Sequence, residues 1–269
     1  MVADLPVTLE ANRLLVPGSV NGLAVPVLVD TGAERSIVAA ATADALRLPR
    51  SQRSATVLSG VAGTVGNADV FATVALADAE VRGRLPLAAV PGFGAIVGGD
   101  LLAGYDVDLD LPRGRVRLWQ AAGCRLESLD LPPGTATLPV EVTARHLLRL
   151  QLRLDGQAVT AYLDSGAAIS LIQASAARRI GDAPAANDQA SLGRGVDGGA
   201  IAVRRHVFSV LEAGSERIAL PRIGIAEFRV DGAEMLLGVD YLRSRRLWIA
   251  YRTGTVYAAP ASTAALPRS

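Results

Sequence analysis

The chain has 269 residues but a single cysteine and no lysine; all 27 of its basic residues are arginine. One thiol, Cys124, cannot close a disulfide within the chain. The two histidines, His146 and His206, lie far apart, so no Cys/His cluster has the spacing of a zinc site. Each is expected at an ordinary strand or surface position. Net charge is only +1, which removes any global electrostatic case for a nucleic-acid or anionic-membrane partner. No apolar run approaches the ~20 residues that span a bilayer as a helix. The opening "MVADLPVTLEANR" lacks the basic start and apolar core of a secretory signal. Arginine without lysine, with abundant alanine and glycine, is the coding bias of a GC-rich genome and hints at a bacterium.

Half of the residues are hydrophobic, enough for a substantial core in one large domain or two of ordinary size. The informative stretches are two. "VPVLVDTGAERSIV" runs from Val25 to Val38, and "VTAYLDSGAAISLI" from Val159 to Ile172. Each is a strand-like apolar run that ends in Asp, a hydroxyl residue and Gly. An acid at the end of such a run is costly unless it is paired, hydrated or used.

The two stretches sit at matching places in a chain written twice. "LPVTLEANRLLVPGSVNG" and "LPVEVTARHLLRLQLRLDG" precede them, each ending in a dipeptide that favours a tight hairpin turn. Short helical patterns follow, "AAATADALRLP" and "QASAARRIG". Glycine-rich segments come next, at Gly60–Gly63 and Gly195–Gly198. Each copy closes on two apolar residues, a Gly and an Asp-containing turn, in "AIVGGDLLAGYDVDLDLPRGRVRLW" and "MLLGVDYLRSRRLWIAYRTGTVYAA". Hairpins are expected there through Gly114 and Gly254. Pro132-Pro133-Gly134 breaks regular structure between the copies. The expected division is a lobe over 1–122, a linker over 123–137, a second lobe over 138–258 and a tail over 259–269. Strands dominate both copies, with one or two short helices in each.

The chemistry of a paired Asp-Thr/Ser-Gly follows from its parts. Asp is the only titratable member. Gly lets the backbone turn and another chain approach closely. The hydroxyl can bond a backbone group and stiffen the loop. Two carboxylates brought together across a pseudo-twofold axis share a proton. One can then take a proton from water while the other gives one to a carbonyl oxygen.

On these residues the chain resembles the retropepsin-like aspartic proteases, in a tandem form with two lobes in one chain. The resemblance rests on Asp30-Thr31-Gly32-Ala33 and Asp164-Ser165-Gly166-Ala167, and on Ile96-Val97-Gly98 and Leu236-Leu237-Gly238. It implies a mostly-β fold of two similar β-barrel lobes with short helices. It implies catalytic roles for Asp30 and Asp164, with Thr31, Gly32, Ser165 and Gly166 supporting the dyad. It also implies flaps at Gly60, Val61, Ala62, Gly63 and at Gly195, Val196, Asp197, Gly198, closing over an extended peptide. Neither metal nor other cofactor is implied. The partner is a protein or peptide substrate, and the chain is expected to be a monomer with an internal pseudo-dimer. A cell-envelope or periplasmic location fits the resemblance, with any leader upstream; a cytoplasmic location is the alternative.

Other patterns have blander readings. "GRGVDG", Gly193 to Gly198, matches a dinucleotide-binding pattern, but the strand-like "GAIAVRRHVFSV" follows it where a helix is required. Asp100 and Asp240 recur in register and read as helix caps. Asp106, Asp108 and Asp110 alternate and read as the solvent face of a strand, not a calcium site. Trp119 and Trp248 read as core or interface residues. Two further functions stay open: a catalytically inactive peptide-binding or scaffold protein on the same fold, and two lobes that each pair with a lobe of another chain.

Overall fold

The computed structural model describes residues 1–60, 63–120, 129, 131–181, 188–195 and 199–260. The protein is mostly β, in two similar halves with short helices. Alternation explains many of the strands. In Leu148–Leu154 the four leucines are buried, while Arg149, Gln151 and Arg153 face outward. This strand turns at Asp155-Gly156, and its counterpart in the first half, Arg13–Val20, turns at Asn21-Gly22. All four turn residues have positive φ, as tight hairpins require.

The halves share one strand order. In the first, Leu23–Val29 pairs in parallel with Ala95–Val97, which pairs with Ile37–Ala39. In the second, Gln157–Leu163 pairs in parallel with Met235–Leu237, which pairs with Leu171–Gln173. Ala79–Ala88, Gly63–Leu76 and Ser51–Gly60 continue the first sheet. Arg222–Ala226, Ala200–Val207 and Gln189–Arg194 continue the second. Pairing of Ser19 and Val20 with Ala75 and Val74 folds the first sheet back on itself. In the second sheet Arg153 and Leu154 pair with Glu212 and Leu211, a step along its strand order. The helices Ala40–Ala45 and Ala174–Arg179 are too short to stand alone and are held by packing of Ala43, Ala176 and Ala177.

A third sheet of six strands takes three from each half. Its centre is the pairing of Tyr105–Asp110 with Arg245–Ala250. Ala3–Pro6 and Arg115–Gln120 flank it on one side, Thr255–Pro260 and Ala136–Pro139 on the other. Both hairpins through Gly114 and Gly254 are present, each glycine left-handed. Ala136 and Thr137, placed in the linker by sequence, are therefore strand residues, as are Ala259 and Pro260 of the expected tail. The rest of the expected linker falls partly, and the rest of the expected tail wholly, outside the described residues. One apolar cluster runs through both halves and this sheet, from Leu14 and Val97 to Leu163 and Ile249.

The expectation for Asp106, Asp108 and Asp110 is overturned. All three are buried: their strand is central in the six-stranded sheet, and the side chains of Arg113, Arg117 and Arg246 lie on Asp108 and Asp110. Asp108 accepts from Arg117 Nη1 at 3.0 Å and from Arg246 Nε at 2.9 Å, so it ties the two halves together. Trp119 and Trp248 meet on this sheet, ring centroids 5.9 Å apart, the interface placement expected of them.

Candidate active site

Each acidic loop is the continuation of a parallel pair of strands. Asp30 N–H donates to Val97 O at 3.0 Å, and Asp164 N–H to Leu237 O at 3.0 Å. The chain then turns back, Ala33 N–H reaching Asp30 O and Ala167 N–H reaching Asp164 O, both at 3.3 Å. The two loops superpose in their bonding as well as in their sequence.

The loops are clamped to each other by their hydroxyl residues. Thr31 Oγ1 donates to Leu163 O at 2.7 Å and accepts from Ser165 N–H at 3.0 Å. Ser165 Oγ donates to Val29 O at 2.8 Å and accepts from Thr31 N–H at 3.0 Å. Thr31 and Ser165 are both fully buried, so no water competes for these four bonds.

This clamp brings Asp30 and Asp164 together. A Cβ on Gly32 would overlap the carboxyl group of Asp164, and one on Gly166 would overlap that of Asp30. Each carboxylate thus rests against the bare backbone of the opposite loop. Gly32 N–H donates to Asp30 Oδ1 at 2.8 Å. Gly166 and Ala167 N–H donate to Asp164 Oδ1 at 3.0 and 2.9 Å.

Burial holds the Asp30 carboxyl well above the usual carboxylate range, and the charge of Asp164 pushes it further up. Burial raises Asp164 too, against the pull of the Ala167 and Gly166 amides. Two carboxyls so placed retain a proton between them where isolated ones would have lost it.

A second pair of residues supports each loop. Asp100 Oδ1 accepts from Ser36 N–H at 2.8 Å and Ser36 Oγ at 2.6 Å, while Ser36 Oγ accepts from Gly98 N–H at 3.1 Å. Asp240, Ser170 and Gly238 repeat this at 2.8, 2.7 and 3.0 Å. The helices Gly99–Leu102 and Val239–Leu242 are instead preceded by Gly98 and Gly238 at the cap position, with no side-chain cap bond. Asp100 and Asp240 therefore do not stand at the cap position; they join each acidic loop to the glycine turn beside it, and Asp240 also accepts from Tyr241 N–H at 3.0 Å within its own helix. Ser36 and Ser170 were missed in the sequence. Their signal was present, since each lies six residues beyond its Asp.

The described ends of the glycine-rich segments close on strand pairs. Gly60 pairs with Gly63. Gly195 N–H donates to Gly199 O at 3.0 Å in the other half. Val61, Ala62, Val196, Asp197 and Gly198 lie outside the described residues. Ile201 and Val203 of the second hairpin pack in one cluster with Ala167 and Ile169 of the acidic loop. The strand Ala200–Val207 after "GRGVDG" also removes the helix that a dinucleotide site needs. Among the described residues, no group of three or more His, Cys, Asp or Glu is placed to hold a metal ion.

A duplicated β fold whose halves each deliver one carboxyl to a common point defines a two-lobed acid-dyad protein. The family model described as "Aspartyl protease" matches the chain twice, over residues 16–106 and 150–241. The chain belongs to the aspartyl protease family, in a tandem form. No curated protein matches it.

Proposed function

We propose that this chain is an aspartic endopeptidase that hydrolyses peptide bonds in extended polypeptides, with Asp30 and Asp164 as its catalytic pair. The observation that carries the reading is the mutual seating of each carboxyl on the opposite glycine, which sets the two acids side by side.

The ionised carboxyl takes a proton from water as its oxygen attacks the peptide carbonyl. The protonated carboxyl gives its proton to the carbonyl oxygen. A neutral gem-diol results, and the two carboxyls have exchanged protonation states. The newly protonated one then gives its proton to the nitrogen, the other takes one from a gem-diol hydroxyl, and the C–N bond breaks. No metal and no covalent enzyme intermediate enters these steps. The raised carboxyls supply the shared proton, so activity falls as pH rises through the upper limb of the pair.

Thr31 and Ser165 hold the loops, and the hairpins ending at Gly60–Gly63 and Gly195–Gly198 close over the peptide. One chain supplies both acids, so a monomer is a complete enzyme. The location consistent with the resemblance is the bacterial cell envelope. The test is a diverse peptide library offered from acidic to neutral pH to the parent, Asp30→Asn and Asp164→Asn. The parent cuts, and each variant loses at least about 100-fold in kcat/KM. A folded parent that binds peptides yet cuts none would leave the inactive peptide-binding protein as the correct reading.

A further inference from the structure

The inference concerns which peptides the cleft takes, and it rests on the protease reading. Strand register lets the walls on either side of the dyad be compared position by position. Leu15 pairs with Leu28 in the first half, and Arg149 with Tyr162 in the second. Leu28 then pairs with Ile96, and Tyr162 with Leu236. Both walls reach the dyad loops, since Ala33 packs with Leu28 and Ile96, and Ala167 with Tyr162 and Leu236. Pro91 and Asp231 each precede those last partners by five residues.

The walls are built alike but differ in character. Where the first has Leu15, Leu28 and Pro91, the second has Arg149, Tyr162 and Asp231. The difference extends to the loops. The hairpin between Glu10 and Arg13 has a two-residue turn. Its counterpart closes between Thr143 and Leu147 and is one residue longer. The longer turn carries Arg145, which reaches across the lobes to donate to Glu34 at 3.0 Å. The position matching Glu34 in the second half is Ala168, so the ion pair exists at one end of the cleft only.

That end is a joined polar group. Tyr162 OH donates to Asp231 O at 2.8 Å. Arg149 Nε donates to Glu141 at 3.1 Å. Burial raises the Tyr162 phenol, which also feels the charges of Arg149, Glu34, Glu141 and Arg145. Glu34 and Glu141 are each matched by an arginine. The exposed Asp231 carboxylate makes no hydrogen bond or ion pair among the described residues, and its charge is felt by Arg145. Asp231 is thus the carboxylate of this group that no arginine pairs among the described residues.

The other end is the reverse. Phe93 stands where the second half has Ala233, and the Arg13 guanidinium lies over its ring, 5.5 Å from the centroid. Arg13 donates to Pro91 O at 3.2 Å and has no carboxylate partner among the described residues. Leu147 takes its place in the second half.

We propose that the cleft selects a polarised peptide, with a basic side chain beside Asp231 at one end and an apolar side chain on Phe93 at the other. Arg13 repels a basic residue from the apolar end, so one direction of entry is favoured over the other. A rim charge in water is worth a modest factor, about fivefold in selectivity.

The test uses decapeptides with an apolar central pair and Arg, Ala or Glu placed in turn at each flanking position. The parent is expected to show kcat/KM about fivefold higher for Arg than for Ala on one flank alone. Asp231→Asn brings that ratio close to one, and Asp231→Arg reverses it toward Glu. An Arg preference that survives in Asp231→Asn, or a parent that cuts without any preference, overturns the proposal. If the parent cuts none of the peptides, the protease reading falls instead. Direct binding of the same peptides then decides this one: tighter binding of the Arg peptide that is lost in Asp231→Asn upholds it, and equal binding overturns it.

Discussion

The glycine of each acidic triplet carries as much of the site as the aspartate. Gly32 and Gly166 are where the opposite carboxyl sits, so any side chain there must push the dyad apart. Gly166→Ala is expected to cost about 1–3 kcal/mol of stability through overpacking. It should lower kcat/KM at least about 100-fold, because a displacement near 1 Å is enough for that loss. Circular dichroism and a peptide assay on the same preparation separate the two effects. The carboxyls also leave a mark on stability. Asp30 titrates well above its unfolded value, so the native state holds more protons than the unfolded one in the window between. Stability contributed by the protonated form is thus lost as pH rises through that window. Asn cannot ionise, so the melting temperature of Asp30→Asn relative to the parent should climb from acidic to neutral pH. A flat or falling difference contradicts the raised carboxyl.

At the scale of elements, the acidic loops were legible because their chemistry is contiguous and occurs twice. Asp-Thr-Gly and Asp-Ser-Gly announce themselves in three residues, and the Asn-Gly and Asp-Gly turns place the strands that deliver them. Asp100 and Asp240 were misread because Asp caps helices and bridges loops with the same oxygens. What decides between these roles is Ser36 or Ser170, which lies far away in sequence. Asp108 was misread for a related reason: alternation puts it on the polar face, but Arg117 of one half and Arg246 of the other, distant in sequence, lie over it and bury it. The clamp between the loops shows how much rests on such distant partners. Thr31→Ala removes one hydroxyl and strands two buried groups, Leu163 O and Ser165 N–H. The expected loss is about 2–4 kcal/mol in urea denaturation, with Thr31→Ser recovering most of it. Equal loss in both variants would mean that the methyl group, not the hydroxyl, matters there.

At the scale of the whole molecule, the six-stranded sheet makes the two halves one object. Its central strands come from different lobes, and Asp108 links Arg117 of one to Arg246 of the other. Asp108→Ala leaves two arginines without their shared carboxylate. A buried pair broken in this way costs about 3–5 kcal/mol, and the lower end applies because both guanidiniums are partly exposed. Calorimetry should show one cooperative transition in the parent, shifted down in the variant.

The central claim is that one chain builds one site from an acid in each half. Mixing Asp30→Asn with Asp164→Asn tests it most directly, with peptide cleavage followed across a range of protein concentrations. The account predicts that the mixture stays inactive and that the parent's rate rises in proportion to its concentration. Recovery of activity in the mixture, growing with the square of concentration, would show that lobes of different chains pair and would contradict the account.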